Sequence, residues 1–292
     1  MAIKSVAIIG VGKMGAPIAF RIRDSGFNLI VCDRDQRVLD LFRKEEINVT
    51  DKASDCASSD VVLLLLANDV QIMDVMFGDN GLVDAIPKKD DPIICIMSTV
   101  LPETINRVKD GLTGTLAHLL DSPVSGGIVG AQEGTLSIMI GGEESTIEKV
   151  IPLFDVLSSK TFRCGQIGSA EVVKIINNMV GISNMFLTAE AIHLAEKFGV
   201  TFEELAPILD ASSGRNFLTV DAVKGRKQYR EWCSTDDSYD ATLKILKKDL
   251  ELASKLGESM DLDLEILELL RRHLSNSESD NRSRWKRIGC PE

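Results

Sequence analysis

The chain is poor in the residues that build metal centres, disulfide frameworks and membrane spans. Among 292 residues there are 3 histidines, and His118, His193 and His273 lie far apart. The 6 cysteines (Cys32, Cys56, Cys95, Cys164, Cys233, Cys290) form no C-x-x-C pair, and none has a histidine at metal-ligand spacing. A metal site of the usual kind is therefore not expected. Several cysteines sit in apolar runs, such as Leu29–Cys32 and Ile93–Met97, which reads as free, buried thiols in a reducing compartment. The longest apolar run, Val61 to Ala67, falls far short of the roughly 20 residues a membrane span needs. The first residues run straight into a short apolar stretch with neither a long hydrophobic region nor a cleavage site. A cytoplasmic location, without membrane attachment, is the expectation. Basic residues are also in deficit: 33 Lys plus Arg stand against 44 Asp plus Glu, a net charge of −11. Such a chain repels bulk nucleic acid, though a backbone pocket can still bind one small anion locally.

What is present is an ordinary globular composition, 44% apolar and 26% charged, long enough for about two domains. Short apolar runs recur in the first half, at Ser5–Ile9, Asn28–Cys32, Val61–Leu66, Ile93–Met97, Leu116–Asp121 and Ser137–Ile140. Amphipathic stretches alternate with them around Lys13–Ser25, Arg37–Glu45, Val70–Met76 and Pro102–Asp110. That alternation predicts βαβ units and an α/β fold with a parallel sheet covered on both faces. Beyond a turn signal at Gly165–Gly168 only helical periodicity remains. Ala170 to Phe198 reads as one long helix crossing between domains, followed by helical patterns at Phe202–Ala211, Ala241–Leu256 and Leu262–His273. The expected division is a domain of residues 1–165 and a helical domain of residues 166–292. From Ser275 the chain is so polar that it reads as a frayed tail, or as an arm against another subunit.

Three segments carry chemistry. Gly10-Val11-Gly12-Lys13-Met14-Gly15 follows the first strand and opens a helix, the context in which G-x-G-x-x-G marks a dinucleotide loop. Gly10 permits the tight turn, Gly12 the approach of a pyrophosphate, and Gly15 close packing of helix on strand. The helix N-terminus then faces the phosphates. Asp33 ends the second strand, where a carboxylate can accept the ribose hydroxyls and repel a 2′-phosphate, favouring NAD. The neighbouring Arg34 could instead pair with that phosphate, so NADP stays possible. The second segment, Asp121-Ser-Pro-Val-Ser125-Gly126-Gly127, lies past a strand, where open α/β sheets bind ligands. Ser125 and the two glycines offer a hydroxyl and backbone N–H groups suited to a carboxylate. In the third segment Lys174 and Asn178 stand at i and i+4 on one helix face among Val172, Val173, Ile175 and Ile176. A buried lysine has its pKa lowered by desolvation, which suits proton transfer. The alternative is a structural lysine paired with an acid such as Glu190.

Together these segments, with Lys248-Asp-Leu-Glu-Leu-Ala253 as a fourth, resemble the β-hydroxyacid dehydrogenase family, in order and over most of the chain. The resemblance implies an N-terminal Rossmann domain, with a doubly wound parallel sheet, and an all-helical C-terminal domain that closes the pocket. It implies hydride transfer between a nicotinamide cofactor and a small 3-hydroxy acid of the 3-hydroxyisobutyrate kind, with a semialdehyde as product. Lys174 becomes the general acid/base. Ser125, Gly126, Gly127 and Asn178 become substrate contacts. Leu66 and Ala67 lie beside the cofactor, Thr99 of the Ser98-Thr99 pair near the nicotinamide, and Lys248 near cofactor and substrate. Homodimers or homotetramers built through the helical domains are implied as well. The sequence departs from the family pattern at Ala170 (usually glycine), at Leu66-Ala67-Asn68 (usually Leu-Pro) and at Ser122 (commonly alanine). It also diverges over Lys224–Asp240 and beyond Leu262, which bears on the substrate more than on the reaction. Ser212-Ser-Gly-Arg215-Asn216 resembles a pocket-facing family segment, and Arg215 there could bind a second carboxylate or simply face solvent. A 6-phosphogluconate dehydrogenase would need a larger helical domain. Two other readings are an NADPH-dependent reductase of glyoxylate or succinic semialdehyde, and a non-catalytic NAD(P)-binding scaffold. The scaffold reading would not require Lys174.

Overall fold

The computed structural model describes residues 3–276 and 278–290. Met1, Ala2 and Ser277 of the segments read above, and residues 291 and 292, lie outside the described residues. By compactness the chain divides into two units, Met1–Lys174 and Ile175–Glu292. The division falls inside a long helix rather than at the Gly165 turn.

The first unit is built on a sheet of nine strands: β1 (Ser5–Ile9), β2 (Asn28–Cys32), β3 (Asn48–Thr50), β4 (Val61–Leu64), β5 (Ile93–Ile96), β6 (His118–Asp121), β7 (Val124–Ser125), β8 (Leu136–Gly141) and β9 (Ser158–Gly165). The helices are α1 (Gly15–Asp24), α2 (Gln36–Lys44), α3 (Asp69–Phe77), α4 (Leu82–Ala85), α5 (Pro102–Gly111), α6 (Gly127–Glu133) and α7 (Glu144–Leu157). The order β3-β2-β1-β4-β5-β6 is parallel throughout. It is the doubly wound order of dinucleotide-binding domains, which reverses between β1 and β4 and opens a crevice there. Beyond β6 the sheet turns antiparallel through β8 and β7, and β9 adds parallel to β8.

Alternation explains why these strands read as continuous apolar runs. Along β1, Val6 and Ile8 face one buried layer with Val31, Leu63 and Cys95, while Ala7 and Ile9 face the other with Val62, Leu64 and Ile96. Both faces are covered, so no position in β4 or β5 is left for a polar residue.

Three strands escaped the sequence reading. β3 is three residues long with two of them polar, β7 is two residues, and β9 (SSKTFRCG) is an edge strand with mostly exposed side chains. An edge has one unpaired side and tolerates the polar residues that hide it from a hydrophobicity scan. Cys32, Cys56, Cys95 and Cys233 are buried free thiols as expected, but Cys164 is half-buried and Cys290 exposed.

The second unit is helical. It comprises most of α8 (Ser169–Lys197), then α9 (Phe202–Asp210), α10 (Ala222–Trp232), α11 (Asp236–Glu258), α12 (Glu265–Asn276) and α13 (Glu278–Gly289). Alone among the described helices, α8 is long and apolar enough to cross a bilayer by composition. In the structure Ile182, Met185, Phe186, Ala189 and Ile192 of α8 are buried in the core of this unit.

Over its described residues the polar end of the chain is not frayed. It forms α13, whose Trp285 and Ile288 are fully buried. The chain holds only 2 Trp and 2 Tyr, and all four meet here. The Trp285 ring lies 5.3 to 5.8 Å from those of Phe186, Tyr229, Trp232 and Tyr239. Arg226 and Arg230 of α10 donate to the carbonyls of Ile288 and Gly289, closing the C-terminal end of α13. Two apolar residues three apart are a stripe too narrow to register amid so many serines and charges.

Candidate active site

The glycine loop is shaped as its sequence requires, but for separable reasons. Gly10 has φ +91°, and a Cβ there would meet the Leu65 carbonyl oxygen at 2.4 Å. A Cβ on Gly15 would meet the Gly10 carbonyl oxygen at 2.1 Å, so helix α1 could not pack so closely. At Gly12 a Cβ would meet nothing within 4 Å. The protein itself makes no demand for glycine there, and the open space is where a pyrophosphate would approach. Met14 packs against the core at the start of α1, and no side chain caps that helix. Its first turn also lacks acidic residues, leaving the partial positive charge of the N-terminus uncompensated. Lys13 is exposed beside it.

Asp33 is a brace for the loop. One carboxylate oxygen accepts the N–H of Val11 at 2.9 Å, the other that of Asp35 at 3.0 Å. Each oxygen keeps a second lone pair that can accept a ribose hydroxyl. A cavity of about 410 Å³ opens beside the loop. Gly10, Gly12, Asp33, Arg34, Leu66 and Ala67 line it, along with Lys52 and the acids Asp51, Asp74 and Asp79. Arg34 is ion-paired with Asp74 across the cavity, a partner forty positions away that no local pattern announces. The shape, the uncapped helix and the open Gly12 suit the adenosine and pyrophosphate of a dinucleotide.

The strand ends beyond the loop are tied together. The buried Ser98 hydroxyl accepts the N–H of Leu66 at 2.6 Å and donates to the Leu64 carbonyl at 3.3 Å. The missing proline of Leu66-Ala67-Asn68 leaves an N–H on Ala67, and Gln71 Oε1 accepts it at 2.9 Å. Asn68 caps α3 through the N–H of Gln71. Thr99 follows directly on the Ser98 clamp.

Asp121, fully buried at the end of β6, accepts the N–H groups of Gly168 and Glu171 at 2.9 and 3.1 Å. It thereby anchors the start of α8. Burial pushes its carboxyl above the usual carboxylate range, with these N–H bonds pulling back. Its neighbour Ser122 is also buried. Ser125 pairs with Ser137 of β8, and Gly126 and Gly127 follow at φ +130° and +62° with exposed backbone.

Lys174 is 6% exposed, in the second turn of α8. Glu190, the acid offered by sequence as its partner, is exposed much further along that helix and bonds to Arg284 at 3.2 Å. The reading of Lys174 as a lysine held by Glu190 is thereby overturned.

Within the helical unit, Asn178 Nδ2 donates to Asp249 Oδ2 at 2.8 Å, and Lys248 Nζ stands 3.0 Å from Asp249 Oδ1. Asp249 is thus a buried organiser of two expected site residues, and sequence reasoning passed over it inside the Lys248–Ala253 motif. Its signal was an acid next to a lysine in an otherwise apolar helix face. Arg215 is exposed and ion-paired with Asp210 at 2.9 Å, so nothing directs it to a second substrate carboxylate. Asn216 is spent on the hydroxyl of Thr188 and the Gly214 carbonyl.

Comparison with known proteins accords with this geometry. A family model described as the NAD binding domain of 6-phosphogluconate dehydrogenase matches residues 5–168. A second, described as NAD-binding of NADP-dependent 3-hydroxyisobutyrate dehydrogenase, matches residues 168–284. The chain is 31% identical to an NAD-dependent L-serine dehydrogenase of Pseudomonas aeruginosa, over 88% of this chain and 86% of that one. It is 32% identical to a 3-hydroxyisobutyrate dehydrogenase of the same organism, over 73% and 71%. Its fold is that of a Mycobacterium tuberculosis 3-hydroxyisobutyrate dehydrogenase solved with L-serine. That match has a TM-score of 0.80 at 22% identity and covers 99% of this chain and 100% of that one.

Proposed function

The chain belongs to the β-hydroxyacid dehydrogenase family and is an NAD(P)-dependent hydroxyacid dehydrogenase, and on that premise we propose that it oxidises a small 3-hydroxy acid to its semialdehyde. Relatives named for 3-hydroxyisobutyrate and for L-serine make these two acids the substrates to test first. The observation that carries the reading is Lys174, an amine buried early in α8 between Val172-Val173 and Ile175-Ile176. A bound nicotinamide supplies the acceptor for the hydride in oxidation and its donor in reduction. Lys174 takes the hydroxyl proton as the carbonyl forms, and returns it in the reverse direction. The Ser125 hydroxyl and the N–H groups of Gly126 and Gly127 hold the carboxylate. Asn178, one turn beyond Lys174 on the same helix, contacts the substrate with its amide steadied by Asp249. Comparing kcat/KM across 3-hydroxyisobutyrate, L-serine and D-glycerate tests the reading. Turnover confined to one or more of these supports it, and turnover of none rejects it.

The preferred cofactor is NAD. Four cavity acids, Asp33, Asp51, Asp74 and Asp79, outnumber the cations Arg34 and Lys52, and Asp74 occupies the Arg34 guanidinium. A 2′-phosphate would meet net negative charge and an engaged arginine. The Arg34–Asp74 pair is exposed, so its influence is modest, about 1 kcal/mol or a factor of about 5. Asp74→Asn is expected to raise kcat/KM for NADP relative to NAD by about that factor. An unchanged ratio contradicts the assignment. A wild-type preference for NADPH would favour the semialdehyde-reductase reading, which Arg34 keeps in play.

The enzyme is further proposed to self-associate. Val173, Ile176, Val180, Leu187 and Leu194 recur at helical spacing along an exposed face of α8. Sedimentation equilibrium is expected to give a multiple of the 31.9 kDa chain mass, reduced by Leu187→Glu. A wild-type monomer at micromolar concentration contradicts it.

A further inference from the structure

Glu171 is an acid in the first turn of α8 with no accessible surface at all. Lys174 follows three residues later, and residues at i and i+3 are neighbours on one helix face, with Cβ atoms about 5–6 Å apart. Two ionisable side chains are thus withdrawn from water within a single turn. A buried charge persists only where an opposite charge and hydrogen bonds answer it. The carboxylate is also fixed from outside its helix, since its Oε2 accepts the N–H of Val100 at 3.1 Å. Val100 closes the Ser98-Thr99 segment, whose serine clamps Leu66 beside the cofactor cavity. Glu171 therefore joins the loop after β5 to the helix that carries the lysine.

Asp121 and Cys164 are titratable groups on its side of the sheet end. Asp121 accepts the Glu171 N–H at 3.1 Å and the Gly168 N–H at 2.9 Å. Cys164 lies near Asp121, and burial pushes its thiol up. Neither is a cation, whereas Lys174 stands three residues along on the same helix.

We propose that Glu171 is a positioning residue that sets the charge of Lys174, holding its amine in the ammonium form and fixing the pH above which it can accept a proton. This deepens the reading of Lys174 as general acid/base and rests on it. The sign follows from the charges. A neighbouring carboxylate favours the protonated amine, so in oxidation, where the neutral amine is needed, Glu171 moves the rising limb of activity to higher pH. In reduction, where the ammonium donates, it extends activity upward.

Glu171→Gln keeps an oxygen to accept the Val100 N–H and removes the charge. In cofactor-free, full-length protein labelled with ¹⁵N-lysine, the Lys174 resonance, identified by its loss in Lys174→Ala, is followed against pH. Its pKa is expected to fall by about 1–2 units in Glu171→Gln. The rising limb of kcat/KM for oxidation is expected to move down by the same amount. Glu171→Asp, which restores a shorter carboxylate, is expected to give an intermediate Lys174 pKa. The same titration in Glu171→Asp decides the matter if Glu171→Gln fails to fold. A Lys174 pKa that stays at or above the wild-type value in these variants overturns the proposal. Full activity of Lys174→Ala would instead overturn the catalytic reading and leave the titration result standing, so the two failures are distinguishable.

Discussion

Lys174→Ala is expected to lower kcat for hydroxy-acid oxidation by at least about 10²-fold, the usual scale of general acid–base help. Both kcat and kcat/KM should fall together, because the proton is transferred only as the transition state forms. Cofactor binding should be nearly unchanged, since the cavity beside the glycine loop is lined by residues 9–80 and does not include Lys174. Stability should fall, because removing the buried lysine leaves the buried Glu171 carboxylate without its neighbouring cation, so the kinetics are read below the variant's unfolding transition. Lys174→Arg should be as inactive as Lys174→Ala, because a guanidinium does not deprotonate in the working range and cannot act as the base. Steady-state kinetics on both variants, with thermal unfolding as the control, checks this. Retained turnover in either one removes Lys174 from the proton-transfer step.

Gly12→Val is expected to abolish tight cofactor binding while leaving the apoprotein's stability intact. The space around the Gly12 Cβ position is open to 4 Å, so a side chain there disturbs no protein contact. It would occupy the approach of the pyrophosphate to the loop backbone. Losing two charge-assisted hydrogen bonds, each worth about 1.5–3 kcal/mol, corresponds to a rise in Kd of at least about 10²-fold. Gly10→Ala provides the contrast. Its φ of +91° and the Leu65 oxygen 2.4 Å from the new Cβ should cost stability of about 1–3 kcal/mol in the apoprotein itself. Calorimetric titration with NAD and denaturant unfolding separate the two effects. Equal destabilisation by both substitutions, or unimpaired NAD binding by Gly12→Val, contradicts the division of roles.

Legibility in the sequence followed burial geometry. β4 and β5 were visible because strands covered on both faces leave four consecutive positions fully apolar. β9 was not, because its edge position lets Lys160 and Arg163 stand exposed on it. α13 was hidden by the small size of its anchor, Trp285 and Ile288, among polar residues. The candidate site shows the same contrast. Local motifs declared the glycine loop, the Ser125–Gly127 turn and Lys174, where spacing along the chain fixes spacing in space. Partners set by tertiary structure were not declared: Asp74 reaches Arg34, in the turn after β2, from α3, and Asp249 reaches Asn178 from α11. Glu171 sat in view three residues before Lys174, but only its complete burial distinguishes it from a solvated acid in a first helical turn. Asp33 was read for the ribose, and its bonds to Val11 and Asp35 give it a second, structural task.

Hydride transfer from the hydroxyl-bearing carbon is tested most directly with 3-hydroxyisobutyrate or serine deuterated at that carbon. Incubated with NAD and the enzyme, each substrate that turns over should yield reduced cofactor carrying the deuterium. Its kcat/KM should be lower than that of the protiated acid. Reduced cofactor free of deuterium, or none formed from any 3-hydroxy acid by protein that binds NAD, would contradict it.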